Sequence, residues 1–458
     1  MKKNLFMVAA VALVALVSCN KETNSPLQPA PVSDIKFEAE FVNEQTKTSI
    51  GDADKNGYRN VTWDLGELVH INGTLFTATD YKEDGKAIFV TEDLDFATAE
   101  KYDAIYPASA GKSLDAVTIP AAQDGTFANA AIAVAQSENR SLAFMNVASL
   151  IKFQVESDCS TITITSNLNL TGKVSVTFDE NGYPVLGSTV SEPSKTVTLT
   201  GAFKAGQDYY VAALPGSHTF TVRIDSYLSK AGTKPVTLTR SNIVNLKAFP
   251  EPDLLYLVPN NNWKSANARF AAYFYNSDTD NKWVEITNYK GSLVCQKEDY
   301  SHVIFCRMNP ATTENNWNNK WDQTGNLTVG KGKYCVIPFD VWGGLTQWSD
   351  SKTFNTTNKV FLAPGENWRA DGARFEAYFW GSNGNQWVTL SLLSDNPVYY
   401  FAEHNVGMTG MKFLRKDPNS KEHDFGQGVW AQTGDLTVSD GKFWTTTGWD
   451  GAGSWGSK

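Results

Sequence analysis

One eight-residue phrase occurs twice in this chain, as RFAAYFYN from Arg269 and as RFEAYFWG from Arg374. The likeness runs upstream, where NNWKSANARFAAYFYN matches ENWRADGARFEAYFWG at an offset of 105. It also runs downstream, where WDQTGNLTV matches WAQTGDLTV at an offset of 109, the drift marking loop insertions. Near the ends, Trp342 and Trp348 are spaced like Trp449 and Trp455. A repeat of this kind means one module built twice, each copy about 100 residues long. Equivalent residues must then find equivalent surroundings.

Each phrase reads as a β-strand, and strand alternation sorts its side chains onto two faces. Phe270, Ala272 and Phe274 fall opposite Arg269, Ala271, Tyr273 and Tyr275. Phe375, Ala377 and Phe379 likewise fall opposite Arg374, Glu376, Tyr378 and Trp380. The largest aromatics therefore share a face with charge. A short Asn/Asp/Gly-rich loop follows, then NKWVEIT or NQWVTLS, which puts Trp283 and Trp387 on the polar face again. Strands joined so closely pair as a hairpin, making their outward side chains cross-strand neighbours. The expectation is an exposed patch of three rings per module: Tyr273, Tyr275 and Trp283, then Tyr378, Trp380 and Trp387. The competing expectation is that this face packs under a long loop or a neighbouring domain.

An exposed aromatic patch on a secreted protein marks a binding site. Carbohydrate suits this composition, because axial C–H groups lie well on Tyr and Trp faces while rim amides and charges meet the hydroxyls. Gln323 and Gln432 are candidate hydroxyl partners, and a turn-stabilising amide is the other role open to each.

The rest of the chain is read as β as well. Runs such as TITITSNLNL, YYVAAL and FTVRI, broken by Gly, Asn, Asp and Pro, point to an all-β protein of sandwiches. Thirteen of the fourteen tryptophans lie after residue 262, so the two halves do different work. The expected architecture is four tandem β-sandwich domains, at 34–145, 146–248, 254–348 and 359–458, with AFPEPD as a linker at 248–253.

The first half carries Val61, Trp63, Gly66 and Glu67, then Tyr106-Pro107, then Leu214-Pro215-Gly216. In this order these phrases resemble the fimbrillin-like lipoproteins of gut and oral anaerobes. That resemblance implies two transthyretin-like sandwiches used for display or fimbrial assembly. Pilins of that family are freed for assembly by a cut at a basic residue, usually Arg. This chain has no arginine before Arg59, so a stalk is expected rather than a polymerising subunit.

The repeats resemble the starch-binding modules attached to bacterial α-amylases. The resemblance rests on a Trp, a Tyr-x-aromatic pair, a Trp after a short loop, a buried IF strand and Gln-Thr-x-(Asn/Asp)-Leu. It implies that Tyr273, Tyr275 and Trp283, and Tyr378, Trp380 and Trp387, form the stacking platforms, and it favours an α-glucan ligand. The copies depart from that pattern in their loops. NPATTENNWNNKW carries Trp317 and Trp321, and the second copy has DPNSKEHDFGQGVW in its place.

At the start, two lysines precede an apolar run too short for a bilayer span and suited to a secretory leader. Leu16-Val17-Ser18-Cys19 resembles the lipobox of bacterial lipoproteins. It implies removal of a signal peptide at 1–18, acylation of Cys19, a lipidated tether at 19–33, and a lipid-anchored, surface-exposed outer-membrane protein. The net charge of −9 argues against nucleic acid. Besides Cys19 there are Cys159, Cys295, Cys306 and Cys335, with no Cys-x-x-Cys pair, so neither a metal nor a cofactor is expected. The cysteines read as small buried hydrophobes.

No catalytic motif stands out, and the repeated residues suit binding rather than bond cleavage. The main expectation is a non-catalytic surface lipoprotein that binds polysaccharide or oligosaccharide through two tandem modules on a fimbrillin-like stalk. A second reading makes it a fimbrial or adhesin subunit whose C-terminal repeats contact protein or host surface. Glycan-uptake or fimbrial components of the outer membrane are the partner classes this implies.

Overall fold

The computed structural model describes residues 35–42, 63–84, 86–343 and 347–458. The leader, Cys19, the tether, Arg59 and Val61 lie outside the described residues. Strands dominate from end to end and the helices are single turns, so the protein is all-β and multi-domain.

In the first unit, seven strands between Lys36–Phe41 and Ser141–Asn146 close into a barrel. Closure comes from parallel pairing of the first strand with the last, Ala39 standing opposite Leu142. A β-sandwich was expected here; the returning last strand instead closes the sheet on itself and removes its free edges. Trp63 fills the centre, within 5.2 Å of the Phe41, Phe89, Tyr106 and Phe144 rings. The Tyr106 hydroxyl donates to Glu67 at 2.8 Å. Residues far apart in the sequence phrases thus meet in one core.

Two short strands leave the barrel for the second unit. Val117–Ile119 pairs with Thr171–Phe178, and Ala122–Gln123 runs parallel to Thr196–Phe203. In exchange, Val174, Val176, Tyr210, Ala212 and Leu214 complete the first core. The N-terminal units interlock through this exchange, which strand periodicity alone does not reveal.

Each repeat is a two-layer sandwich. In the first, the front sheet contains Lys320–Gln323, His302–Met308, Arg269–Tyr275 and Asn281–Tyr289. The last of these strands runs on into the back sheet, where it pairs with Ser292–Gln296. In the second repeat the corresponding strand stops at Thr389, and the front and back sheets are separate. A buried Trp stacks on the phrase's first Phe in both copies, Trp263 on Phe270 at 6.3 Å and Trp368 on Phe375 at 6.1 Å.

The second unit and the first repeat meet directly, with the Tyr227 and Thr287 hydroxyls 2.6 Å apart and Tyr289 donating to Asp225 at 2.9 Å. The repeats share one core, in which Phe339 lies 4.7 Å from Phe443 and 5.1 Å from Phe361. The connection at 349–359 is short and polar in sequence. Its Phe354 nevertheless packs 5.6 Å from Phe339, an aromatic anchor in an otherwise polar run.

Candidate functional site

The phrase strand is central in each front sheet, and register decides what stands beside it. Tyr273 lies opposite Trp283 on one side and Ile304 on the other; Tyr275 lies opposite Asn281 and His302. The three expected rings do come together: Tyr273 sits 4.9 Å from Trp283 and 5.6 Å from Tyr275. In the second copy Tyr378 is 4.8 Å from Trp387 and 5.8 Å from Trp380. Ala271, Ile304, Cys306 and Met308 form a small apolar floor beneath the first cluster.

A fourth ring joins each cluster from the loops where the copies differ most. Trp317 stands edge-on at 4.7 Å from Tyr273 and 4.9 Å from Trp283. Phe425 takes the same place, 4.8 Å from both Tyr378 and Trp387. The platform rings are therefore half-buried rather than fully exposed, while Trp317 and Phe425 are 41 % and 47 % exposed. Phe425 was not singled out from the sequence, because its loop shares no alignable residues with the first copy. Its only signal was an isolated aromatic in a polar stretch.

The Tyr275-to-Trp380 exchange comes with a second one across the strand. Tyr275 stacks on His302 at 5.2 Å, whereas Trp380 faces Gly410. A Cβ at 410 would lie 2.2 Å from the Trp380 ring, so glycine is what lets the larger ring lie flat. Burial pushes the Tyr273 and Tyr275 phenols up from their ordinary values, which keeps both as neutral hydroxyl donors.

Charge on this face was read as a sign of solvent exposure, and Glu376 corrects that. Its side chain is on the platform face yet fully buried. Arg374 pairs with one carboxylate oxygen, His423 lies 2.9 Å from the same oxygen, and Lys416 is 3.4 Å from the other. The 417–430 loop supplies His423 and covers the group. In the first copy Ala271 replaces the glutamate, and Arg269 pairs with Glu285 at 3.2 Å instead.

Gln323 stands opposite Cys306 on the platform face, and its Oε1 accepts from Lys320 Nζ. Lys320 in turn lies 5.2 Å from the Trp317 ring. Gln432 stands opposite Leu414 and is exposed. The turn duty belongs to the next residue in each copy: Thr324 and Thr433 accept the Phe305 and Phe413 amides at 3.0 and 3.1 Å.

A second aromatic arrangement was missed. The strand after the insertion bulges by one residue in both repeats, at Trp321 and at Trp430. A bulge re-aims a side chain, and here it lays the indole against a buried arginine. Arg307 lies 4.7 Å from Trp321 and 5.4 Å from Trp342; Arg415 lies 4.7 Å from Trp430 and 5.2 Å from Trp449. The arginine Nε donates to the Trp263 or Trp368 carbonyl at 2.9 or 3.0 Å. The matching spacing of Trp342 and Trp449 was the available sequence signal, but it does not reveal the arginine between.

Cys159, Cys295, Cys306 and Cys335 are buried free thiols, and desolvation raises Cys306 to about 12. Among the described residues no group of three or more His, Cys, Asp or Glu side chains is placed to hold a metal.

No protein-family model matches the chain, and no curated protein matches it either. The chain aligns with a Bacteroides ovatus protein assigned to cell adhesion at TM-score 0.31 and 12 % identity, over 46 % of this chain and 91 % of that one. A Bacteroides ovatus fimbrial protein aligns at TM-score 0.21 and 10 % identity, covering 48 % of this chain and 52 % of its own. A streptococcal family 41 carbohydrate-binding module, described for α-glucan recognition, aligns at TM-score 0.14 and 8 % identity, covering 44 % and 95 %. All three likenesses are remote.

Proposed function

We propose that this protein is a non-catalytic, surface-displayed binder of carbohydrate, with α-glucan the favoured ligand, anchored by lipid at Cys19. Its two C-terminal repeats carry the binding sites, and the interlocked N-terminal units serve as the stalk. Tyr273, Tyr275 and Trp283 form one platform with Trp317 at its edge; Tyr378, Trp380 and Trp387 form the other with Phe425. Gln323 and Gln432 stand one row away as hydroxyl partners.

One observation carries this reading. Loops with no common sequence deliver a ring to the same edge of the same aromatic pair in both repeats. Core packing alone gives no reason to leave those rings more than two-fifths exposed. The carboxylates on this face are engaged by arginine, Glu285 by Arg269 and Glu376 by Arg374. Glycoside hydrolysis needs an acid and a base or nucleophile free to meet the bond, so binding is the better fit.

Affinity electrophoresis through starch-containing gels tests it. Trp283→Ala and Trp387→Ala should each reduce retardation roughly tenfold in apparent affinity, about 1.4 kcal/mol, and together should nearly abolish it. Circular dichroism confirms that each variant is folded at the gel temperature. Folded variants that are retarded like the parent would show that these rings only pack.

A further inference from the structure

Between the repeats lies a cavity of about 660 Å³ that none of the platform rings lines, although Gln323 borders it. Trp321 and Trp342 wall it, Arg307 lies between them, and Asp322 lines it from the same strand. Its far rim, Asp395 and Asn396, comes from the second repeat, whose Asn396 carbonyl accepts the Trp342 amide at 3.0 Å. Repeat packing therefore builds this cleft.

Three features give it the character of a site. Trp321 is 45 % exposed, with Arg307 against its ring, so indole surface remains open to solvent. Arg307 is only 6 % exposed, and its Nε and one Nη nitrogen donate to the Trp263 and Ser265 carbonyls. Its other terminal nitrogen, Nη1, donates to no protein group among the described residues, which leaves it available to a hydroxyl in the cleft. Gly343 keeps the polar side open, since a Cβ there would come within 2.5 Å of the Asp322 carboxylate.

The lining also selects the ligand class. Asp322 and Asp395 repel anions, which excludes phosphate or an acidic peptide despite the arginine. An indole face, carboxylate acceptors and a guanidinium donor together suit a neutral ring bearing many hydroxyls. We infer that the inter-repeat cleft is a third sugar-binding site, stacking one neutral hexose unit on Trp321 and bonding its hydroxyls through Asp322, Asp395 and Arg307. This rests on the carbohydrate reading above and extends it to a site outside both platforms. The Trp430–Arg415–Trp449 arrangement meets no following Asp–Asn rim among the described residues, so it serves as an internal control.

The test is fluorine NMR on the full chain labelled with 5-fluorotryptophan and titrated with maltoheptaose, each resonance being assigned by Trp→Phe substitution. In the Trp283→Ala, Trp387→Ala background the Trp321 resonance should still move, with an apparent Kd in the millimolar range, while Trp430 stays in place. Asp395→Ala, at an exposed rim position, should raise that Kd several-fold without unfolding the chain. A stationary Trp321 resonance, while Trp283 and Trp387 move in the parent, would overturn the cleft and leave the platforms standing. If no resonance moves in the parent, the carbohydrate reading falls and takes the cleft with it.

Discussion

Beneath equivalent platforms the two repeats use opposite chemistry, which offers a direct test of what the buried charges do. Where the first copy has Ala271 and Met308, the second has Glu376 and Lys416, both fully buried and 3.4 Å apart. Removing one partner of a buried pair leaves an uncompensated charge and costs about 3–5 kcal/mol. Lys416→Met should fall at the low end, because Arg374 still holds one Glu376 oxygen. With a urea m-value of roughly 1–3 kcal/mol/M, about 3 kcal/mol moves the unfolding midpoint down by roughly 1–3 M. The triple variant Glu376→Ala, Lys416→Met, Thr389→Glu rebuilds the first copy's arrangement, since Thr389 pairs with Glu376 as Glu285 pairs with Ala271. Replacing a buried pair by apolar groups is neutral or stabilising by about 1–4 kcal/mol, so the triple variant should recover the parent midpoint or exceed it. Tryptophan fluorescence in urea reads both. An unchanged midpoint for Lys416→Met, or a triple variant as weak as the single one, would refute the coupling.

His218 gives a pH dependence with a definite sign. It is buried, its Nε2 lies 3.1 Å from the Leu214 carbonyl and its Nδ1 lies 2.9 Å from the Ser166 hydroxyl, and desolvation lowers its pKa. Its contribution is complete above the unfolded value of about 6.5 and is lost as pH falls from there toward the lower folded value; urea midpoints at pH 7.5 and 5 should differ less in His218→Asn than in the parent. Cys19→Ser should release the protein into soluble fractions or leave an unprocessed precursor, as fractionation and blotting would show, and unchanged membrane association would refute the anchor.

Strand alternation and the repeat were enough to foresee the two ring clusters, because both depend on local spacing. Tyr273 and Trp283 face each other because a short loop fixes the hairpin register. What escaped was set by distant chain. Glu376 looked solvated because a carboxylate on an aromatic face is normally wet, yet Lys416 and His423 come from elsewhere to bury it. Trp321 was assigned to the insertion loop, but a one-residue bulge moves it onto Arg307, and bulges leave no compositional trace. The barrel closure through Ala39 and Leu142 and the strand exchange at Val117–Ile119 are also long-range pairings. Local sequence periodicity specifies neither.

The shared core of the repeats bears on why the module is doubled. On the proposed reading, a platform of a few half-buried rings would bind sugar weakly, roughly micromolar to millimolar, and a second platform on the same chain would turn the next contact into an intramolecular one. With a loose tether the gain would spread over many spacings. Here Phe339, Phe354, Phe361 and Phe443 pack together across the join, so the spacing is set by a core. A glucan long enough to reach both platforms should then gain the full effect, and a short oligosaccharide none. The packing that fixes this spacing also brings Asp395 and Asn396 to Trp321, placing the cleft at the join. Loosening the join should therefore weaken polymer retention twice, through lost spacing and through a lost third contact, while each platform keeps its own affinity.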